Sequence, residues 1–403
     1  MHASDLLFEV PRVALTPFYL TSELLLRRPI GWVVVHAERD HWASRIADLF
    51  TFGEDRNVGV FPTAFIDFGF RPSVGLYVFW NEAFVSKNAV RVHASTWGSD
   101  WLSVSLADRL TVARGHGTLG ARASFLHRPD YIFAGLGPST RQGDVTRYSS
   151  TRIEGKTTFT VQLWRSSRLN TEAGVRSVRF GEGHYLSDPG LLASIDQGRI
   201  AAPPGLDGYT AAFSHVELAL DSRDRDEPRS GVRAQAFAEQ GTDVRQAPGS
   251  SWLRWGGTLG GFVDVTGQAR IVSLTLTAQF ADPLRGGAVP FTEQIGVGGE
   301  GPMRGFLPGR LTDRSAAVAT LQYEWPVWVW LDGVLHLAAG NVFGTHLDEL
   351  SGKKVRFSSG LGFRTTGSAD ARLELLVAGG TDTIEQGARL SSFRFYVGGT
   401  HGF

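Results

Sequence analysis

"TRIEGKTTFTVQLW", residues 151–164, alternates in character almost residue by residue. Ile153, Thr157, Phe159, Val161 and Leu163 fall on one side of an extended chain. Arg152, Glu154, Lys156, Thr158, Thr160 and Gln162 fall on the other. Successive strand side chains point to opposite faces, so this is a strand with one apolar and one charged face. The scheme repeats in "SHVELALDSR" (214–223), "RIVSLTLTAQF" (270–280), "VRFSSGLGFR" (355–364) and "SFRFYVGG" (392–399). A soluble β-sandwich also alternates, but its strands average about 5–6 residues. The strands here run about 9–14 residues, enough for the roughly 9–11 that a tilted strand needs to cross a hydrocarbon core. Apolar side chains would then face lipid and charged ones the lumen.

The strands expected on this basis are 61–70, 75–84, 88–97, 100–110, 117–127, 147–165, 169–180, 211–224, 230–240, 252–265, 269–280, 315–325, 333–343, 355–366, 371–380 and 392–403. Their number is even, as a closed antiparallel bacterial barrel requires. Connections after even-numbered strands are short ("VSKN", "SRLN", "RDEPR", "TGQA", "TGSAD"), whereas 128–146, 181–210 and 281–314 are long. Short periplasmic turns and long external loops fit that pattern. The expected class is therefore all-β: a sixteen-stranded antiparallel transmembrane β-barrel over 61–403. Residues 1–60 form a short extended and helical periplasmic or plug segment, with an amphipathic helix over 39–50 carrying Trp42, Ile46, Leu49 and Phe50.

Composition agrees with this class. The 403 residues carry 40 basic and 40 acidic side chains, so no cationic excess points to nucleic acid. Glycine reaches 49, well above ordinary usage of about 7%. There is no cysteine, which removes disulfides and thiolate metal sites. Neither H-E-x-x-H nor G-x-S-x-G occurs. The histidines are scattered, and His215 and His336 read as polar lumen residues, so the chain reads as a non-enzyme without cofactor or metal.

The stretch "GVGGEGPMRGFLPGRLTDRS" (296–315) satisfies G-x-G-x-x-G in its first six residues. A dinucleotide site needs a helix next, and Pro302, Gly305, Pro308 and Gly309 oppose one. An arginine thus sits in a glycine- and proline-rich loop that binds no phosphate. "LALDSRDRDEPRSGVRAQAFAEQ" (218–240), "GVGGEGPMRGF" (296–306), "QYEWPV" (322–327), "LAAGNVFG" (337–344) and a terminal Phe403 follow in order. Together they resemble the BamA/TamA (bacterial surface antigen) family of outer-membrane barrels, most closely over 211–403.

The resemblance implies a sixth external loop that folds into the barrel and is pinned by its arginine. Arg304, Gly305 and Phe306, with Gly298 and Gly299, occupy the motif positions. The family's acidic position on the thirteenth strand reads Ala338, and its Glu and Arg on the twelfth read Gln322 and Glu324. Alternation puts Ala317, Ala319, Leu321, Tyr323 and Trp325 toward lipid and Gln322 and Glu324 inward. The expected partner of Arg304 is therefore Glu324, with Asp221, Asp224 and Asp313 as lesser candidates. Assembly members carry POTRA modules, which residues 1–60 are too short to hold with a linker, so a member lacking them is expected.

The implied function is insertion or translocation of protein or lipid at the outer membrane of a Gram-negative bacterium. Outer-membrane lipid and client proteins or lipids would be the partners. The route would be a weak seam between first and last strands, containing Pro62, Gly398, Gly399, Gly402 and Phe403. A passive pore lined by Arg152, Glu154, Lys156, Arg233, Glu239, Arg356, Arg364 and Arg394, or a structural barrel, is the alternative.

Overall fold

A polar backbone that crosses hydrocarbon must satisfy its N–H and C=O groups within the protein, and a closed sheet does so. The computed structural model describes residues 48–400 apart from 54, 113–114, 225–228, 246–248 and 367–371. Its wall is a closed barrel of sixteen antiparallel strands: β1 (Val58–Asp67), β2 (Ser73–Asn81), β3 (Asn88–Thr96), β4 (Leu102–Val112), β5 (Gly117–Phe133), β6 (Thr146–Gln162), β7 (Arg168–Glu182), β8 (Tyr209–Asp221), β9 (Gly231–Asp243), β10 (Ser251–Asp264), β11 (Ile271–Arg285), β12 (Ser315–Trp328), β13 (Leu331–Phe343), β14 (Arg356–Thr365), β15 (Arg372–Thr381) and β16 (Leu390–Thr400). Each pairs with its chain neighbours, and β16 returns to β1.

The faces divide as the alternation requires. On β6, Ile153 and Phe159 are exposed on the outer wall, and Arg152, Glu154 and Lys156 turn inward into ion pairs. On β11, Leu274 and Leu276 are each 53% exposed, while Ser273 is buried. On β14, Phe357 and Leu361 face out and Arg356 is fully buried inside. A belt of bare leucine, valine and phenylalanine belongs against lipid.

Several bounds differ from expectation. β1 begins at Val58, three residues early, and ends at Asp67, three before the expected bound, because Gly69 turns the chain (φ +108°) and Phe70 drops into a buried cluster. β5, β7 and β11 run on to Phe133, Glu182 and Arg285, past the lipid-facing pattern. There Phe133, Tyr148, Leu191 and Phe291 form a buried cluster with Tyr131, Phe180, Ile195, Ile200 and Leu206. The ends of β5 and β7 pack under the connection 183–208, so lipid does not dictate their alternation, whereas Pro283, Leu284 and Arg285 of β11 are exposed. Tyr323 and Trp325 lie on the outer side but are buried. Their rings stack at 5.2 Å, Trp325 lies across Gly333, and Val272, Leu335 and Phe363 close around them.

Of the N-terminal segment, residues 1–47 lie outside the described residues, as does most of the helix expected over 39–50; residues 48–50 are helical. Thr51 and Phe52 then pair with Gly59 and Val58 at the edge of β1.

Leu276→Arg places a cation on the outer face midway along β11. It should cost about 2–4 kcal/mol of stability in lipid. Thr275→Arg, one residue away and facing inward, should cost less than half as much. Equilibrium unfolding from lipid vesicles measures both, and equal costs would contradict the assignment of faces.

Candidate functional site

The long connection 286–314 turns inward, crosses the lumen and brings an apolar core with it. Val289, Ile295, Val297, Met303, Phe306 and Leu311 pack on Val178, Tyr209, Ala211 and Trp252 at one wall, and on Ala316, Val318, Ala338 and Val342 at another. The lumen is thus not polar throughout. Small inward residues on β12 and β13 admit the loop, and Ala338, which replaces the expected acid, lies in the same cluster as Met303 and Phe306. A short ladder, Ile295 with Asp313 and Gly296 with Thr312, closes the loop stem.

Backbone geometry sets the tip. Gly299 has φ +72°, and its N–H donates to the Phe306 carbonyl at 2.8 Å. A Cβ on Gly305 would collide with the Gly379 carbonyl, so only glycine lets the loop lie flat on β15. The Gly305 N–H also donates to Ser358 Oγ at 2.8 Å. Gly298 lies against the Leu307 carbonyl, and Phe306 is fully buried with its ring over Gly380. His336 Nε2 donates to the Pro302 carbonyl at 2.9 Å.

Arg304 grips Glu374 of β15 through two parallel bonds, Nη1 to Oε1 at 2.8 Å and Nη2 to Oε2 at 2.5 Å. This corrects the expected partner. Glu324 does turn inward, but Arg364 of β14 takes it, with Gln322 donating to the same carboxylate. Glu374 stands opposite Arg364 in register and is left for Arg304. Asp221 is taken by its neighbour Arg223 (2.8 and 3.0 Å), Asp224 is exposed in the following turn, and Asp313 stays in the loop stem. The signal for Glu374 was present: in "RLELLVAGG" (372–380), Leu373, Leu375 and Val377 face out, which turns Glu374 in.

A second anchor was not foreseen. Glu293 of the same loop is 2% exposed and accepts two bonds from Arg176 Nη1, at 2.9 and 2.8 Å, and one from the Tyr209 hydroxyl. Arg176 Nε also donates to Glu154 (2.7 Å), and Arg254 lies between Glu239 (3.2 Å) and Glu293 (3.7 Å). His215 Nδ1 lies 3.4 Å from Glu239. A lone carboxylate in the apolar run "AVPFTEQIGV" (288–297) was the available clue. Near the stem, Arg310 donates to the Thr140 hydroxyl (2.8 Å) and carbonyl (3.0 Å) of the connection 134–145. Arg356 donates to the Pro138 carbonyl of that connection at 3.1 Å. The loop is therefore a crossbar fixed to opposite walls.

The seam is the least paired junction among the described residues. Among the described residues, β16 and β1 share two register pairs, Tyr396 with Asp67 and Val397 with Ile66; every other junction has between seven and fifteen. The Phe68 N–H donates to the Phe395 carbonyl at 2.9 Å. Strand parity therefore puts the N–H positions of residues 66, 64 and 62 on the seam edge, and at Pro62 that edge lacks a donor. Gly398 is buried, and a Cβ there would press on Phe65. Gly399 pairs with Leu373 of β15, and Gly402 and Phe403 lie outside the described residues. Arg394 reaches across the seam to Asp67 at 2.9 and 2.8 Å, both side chains being 2% exposed.

Two outcomes follow from these contacts. Glu374→Gln leaves Arg304 without its carboxylate, so Met303→Cys, at a fully buried position, should react with a water-soluble maleimide about tenfold faster in that background, equivalent to ~1.4 kcal/mol. An unchanged rate would show that the pair does not hold the tip. Burial raises the Asp313 carboxyl to about 6. Because the folded value lies above that of a free carboxylate, its stabilisation of the stem is complete only below about pH 3.9 and is lost as pH rises through 6. A spin label at Ala288→Cys should report a more mobile loop at pH 7 than at pH 5, and Asp313→Asn should flatten that difference.

The fold has known counterparts. Aligned structures include BamA from Haemophilus ducreyi lacking POTRA domains 1–3 (TM-score 0.59, 14% identity, 85% of this chain and 70% of that one). CdiB from Acinetobacter baumannii (TM-score 0.52, 13%, 85% and 59%) and CdiB from Escherichia coli (TM-score 0.51, 12%, 85% and 62%) also align. The chain thus spans about three fifths of the length of the two CdiB chains. No curated protein matches by sequence. At these identities the structures speak for the fold alone, but the sequence model of the Omp85 superfamily domain matches residues 118–401, well over half of the chain. A sixteen-stranded wall, a loop pinned inside it and that match together make this chain a member of the Omp85 superfamily.

Proposed function

We propose that this barrel inserts or translocates protein or lipid at the outer membrane through the junction of β1 and β16, with its N-terminus in the periplasm and its long loops outside. The observation that carries this reading is the seam, which has two described register pairs against at least seven at every other junction. Pro62 lowers the gain from zipping it further, and Gly398 gives up side-chain packing across it. A parted seam would offer the backbone edge of β1 to an incoming strand, or a polar slit to a lipid headgroup. The partners on this reading are outer-membrane lipid and client proteins or lipids, and no chemical step is asked of the protein. Membership of the Omp85 superfamily supports the class of activity and leaves the client to experiment.

Ile66 and Val397 face each other in register, and the chain contains no cysteine. Ile66→Cys with Val397→Cys therefore gives a single disulfide across the seam. The oxidised protein should lose client insertion or lipid movement in proteoliposomes and regain it on reduction. Full activity of the oxidised form would remove the seam as the route.

A passive pore is the second reading. A cavity of about 560 Å³ in the short-turn half of the lumen, lined by Arg91, Arg122, Lys156, Arg168, Glu172 and Glu217 among others, favours it. The crossbar loop opposes it. Planar-bilayer recording separates the two: small flickering currents are expected, and a large steady conductance would favour the pore.

A further inference from the structure

Arg394 holds the seam and the crossbar loop with one guanidinium. Nε and Nη2 fork onto the two oxygens of Asp67 on β1, at 2.9 and 2.8 Å. Nη1 donates to the Gly299 carbonyl at 2.6 Å and approaches the Arg304 carbonyl at 3.4 Å. The first acceptor lies across the seam, and the other two belong to the tip of the crossbar loop. The Tyr396 ring lies under the guanidinium at 4.9 Å, and Phe65 meets that ring edge-on at 5.5 Å. Water is therefore kept from the pair on the wall side.

We propose that Arg394 is a positioning residue that makes loop insertion and seam closure stabilise one another. A guanidinium is planar, and its donors are fixed relative to each other. The Asp67 fork sets the plane and so aims Nη1 at Gly299. If β1 moves away, Asp67 loses both bonds, Arg394 loses its counter-ion, and the aim of Nη1 is lost with them. A buried pair that loses one partner is strongly destabilised. Conversely, a loop drawn out of the lumen admits water beside Arg394, and the attraction across the seam weakens in the higher dielectric. Each event lowers the cost of the other, and such coupling is reciprocal. This deepens the seam reading by naming what would regulate it: a client or lipid that displaces the loop tip would loosen the seam.

Hydrogen–deuterium exchange of the full chain in lipid nanodiscs tests the coupling without any transport assay. Asp67→Asn removes the seam carboxylate, and exchange should rise at least about fivefold, the lower end of typical coupling, in loop peptides spanning 296–306 as well as in 392–398. Glu374→Gln frees the tip at a site that does not touch β1, and exchange should rise similarly in 62–68. Where Asp67→Asn fails to assemble, Arg394→Lys replaces it, since lysine keeps the charge but lacks the planar fork that aims one donor at the loop while two others hold the carboxylate. Coupling is overturned if each variant loosens only its own side, the seam for Asp67→Asn or Arg394→Lys and the loop for Glu374→Gln. Coupled exchange beside an active oxidised seam would sink the route and keep the coupling. Uncoupled exchange beside an inactive oxidised seam would do the reverse.

Discussion

Every backbone amide at the level of the lipid tails must find a partner inside the protein, and this requirement shapes the whole molecule. Among the described residues, fifteen junctions meet it with ladders of seven to fifteen register pairs. The sixteenth, where chain order forces the last strand back onto the first, meets it with two described register pairs and a buried ion pair. A side-chain latch is a different kind of closure from a ladder. It is local, it depends on low dielectric, and it can be released by changing what surrounds it, whereas a ladder must be unpaired bond by bond. A closure of this kind suits a barrel whose wall must part.

The crossbar loop gives the lumen an unusual interior. A water-filled barrel would need no apolar core, yet Val297, Met303, Phe306 and Leu311 are buried here to 1% or less. Apolar burial supplies much of the adhesion, and the charged contacts supply position. Glu293 on the β7–β8 wall and Arg304 on the β15 wall are of opposite sign and meet opposite partners, so the loop cannot bind in the reverse sense without setting like charges together. This polarity fixes which end of the loop reaches the seam. Of the glycines between residues 296 and 305, Gly305 lies against β15, while Gly298, Gly299 and Gly301 lie against the loop's own Leu307, Pro308 and Val297.

How far the sequence could be read depended on which physics wrote each segment. The lipid face imposes a strict rhythm of two, so β6, β11 and β14 and their inward polar residues were legible from alternation alone. That rhythm stops where strands leave the lipid, so the extensions of β5, β7 and β11 fell outside the expected bounds: Phe133, at the end of β5, packs on Leu191 of the connection 183–208 and Phe291 of the crossbar loop. Tyr323 and Trp325 have the outward parity that alternation gave them, yet they are buried, because ring stacking and the bare backbone of Gly333 let them lie along the wall.

The sequence by itself determined the barrel and its strand count, because alternation and turn chemistry within a few residues set both; the inward loop and its arginine were implied by the resemblance of their motif to a family. Only the tertiary structure decided that Arg304 binds Glu374, that Glu324 is taken by Arg364, that Glu293 anchors the other end, and that Arg394 spans the seam. Those pairings join positions 40 to 327 residues apart. Charge and alternation say only that a side chain points inward, and an interior with many inward charges offers each of them several partners. The choice among these rests on stagger between strands and on where the loop backbone comes to lie, which are properties of the closed barrel and not of any one segment.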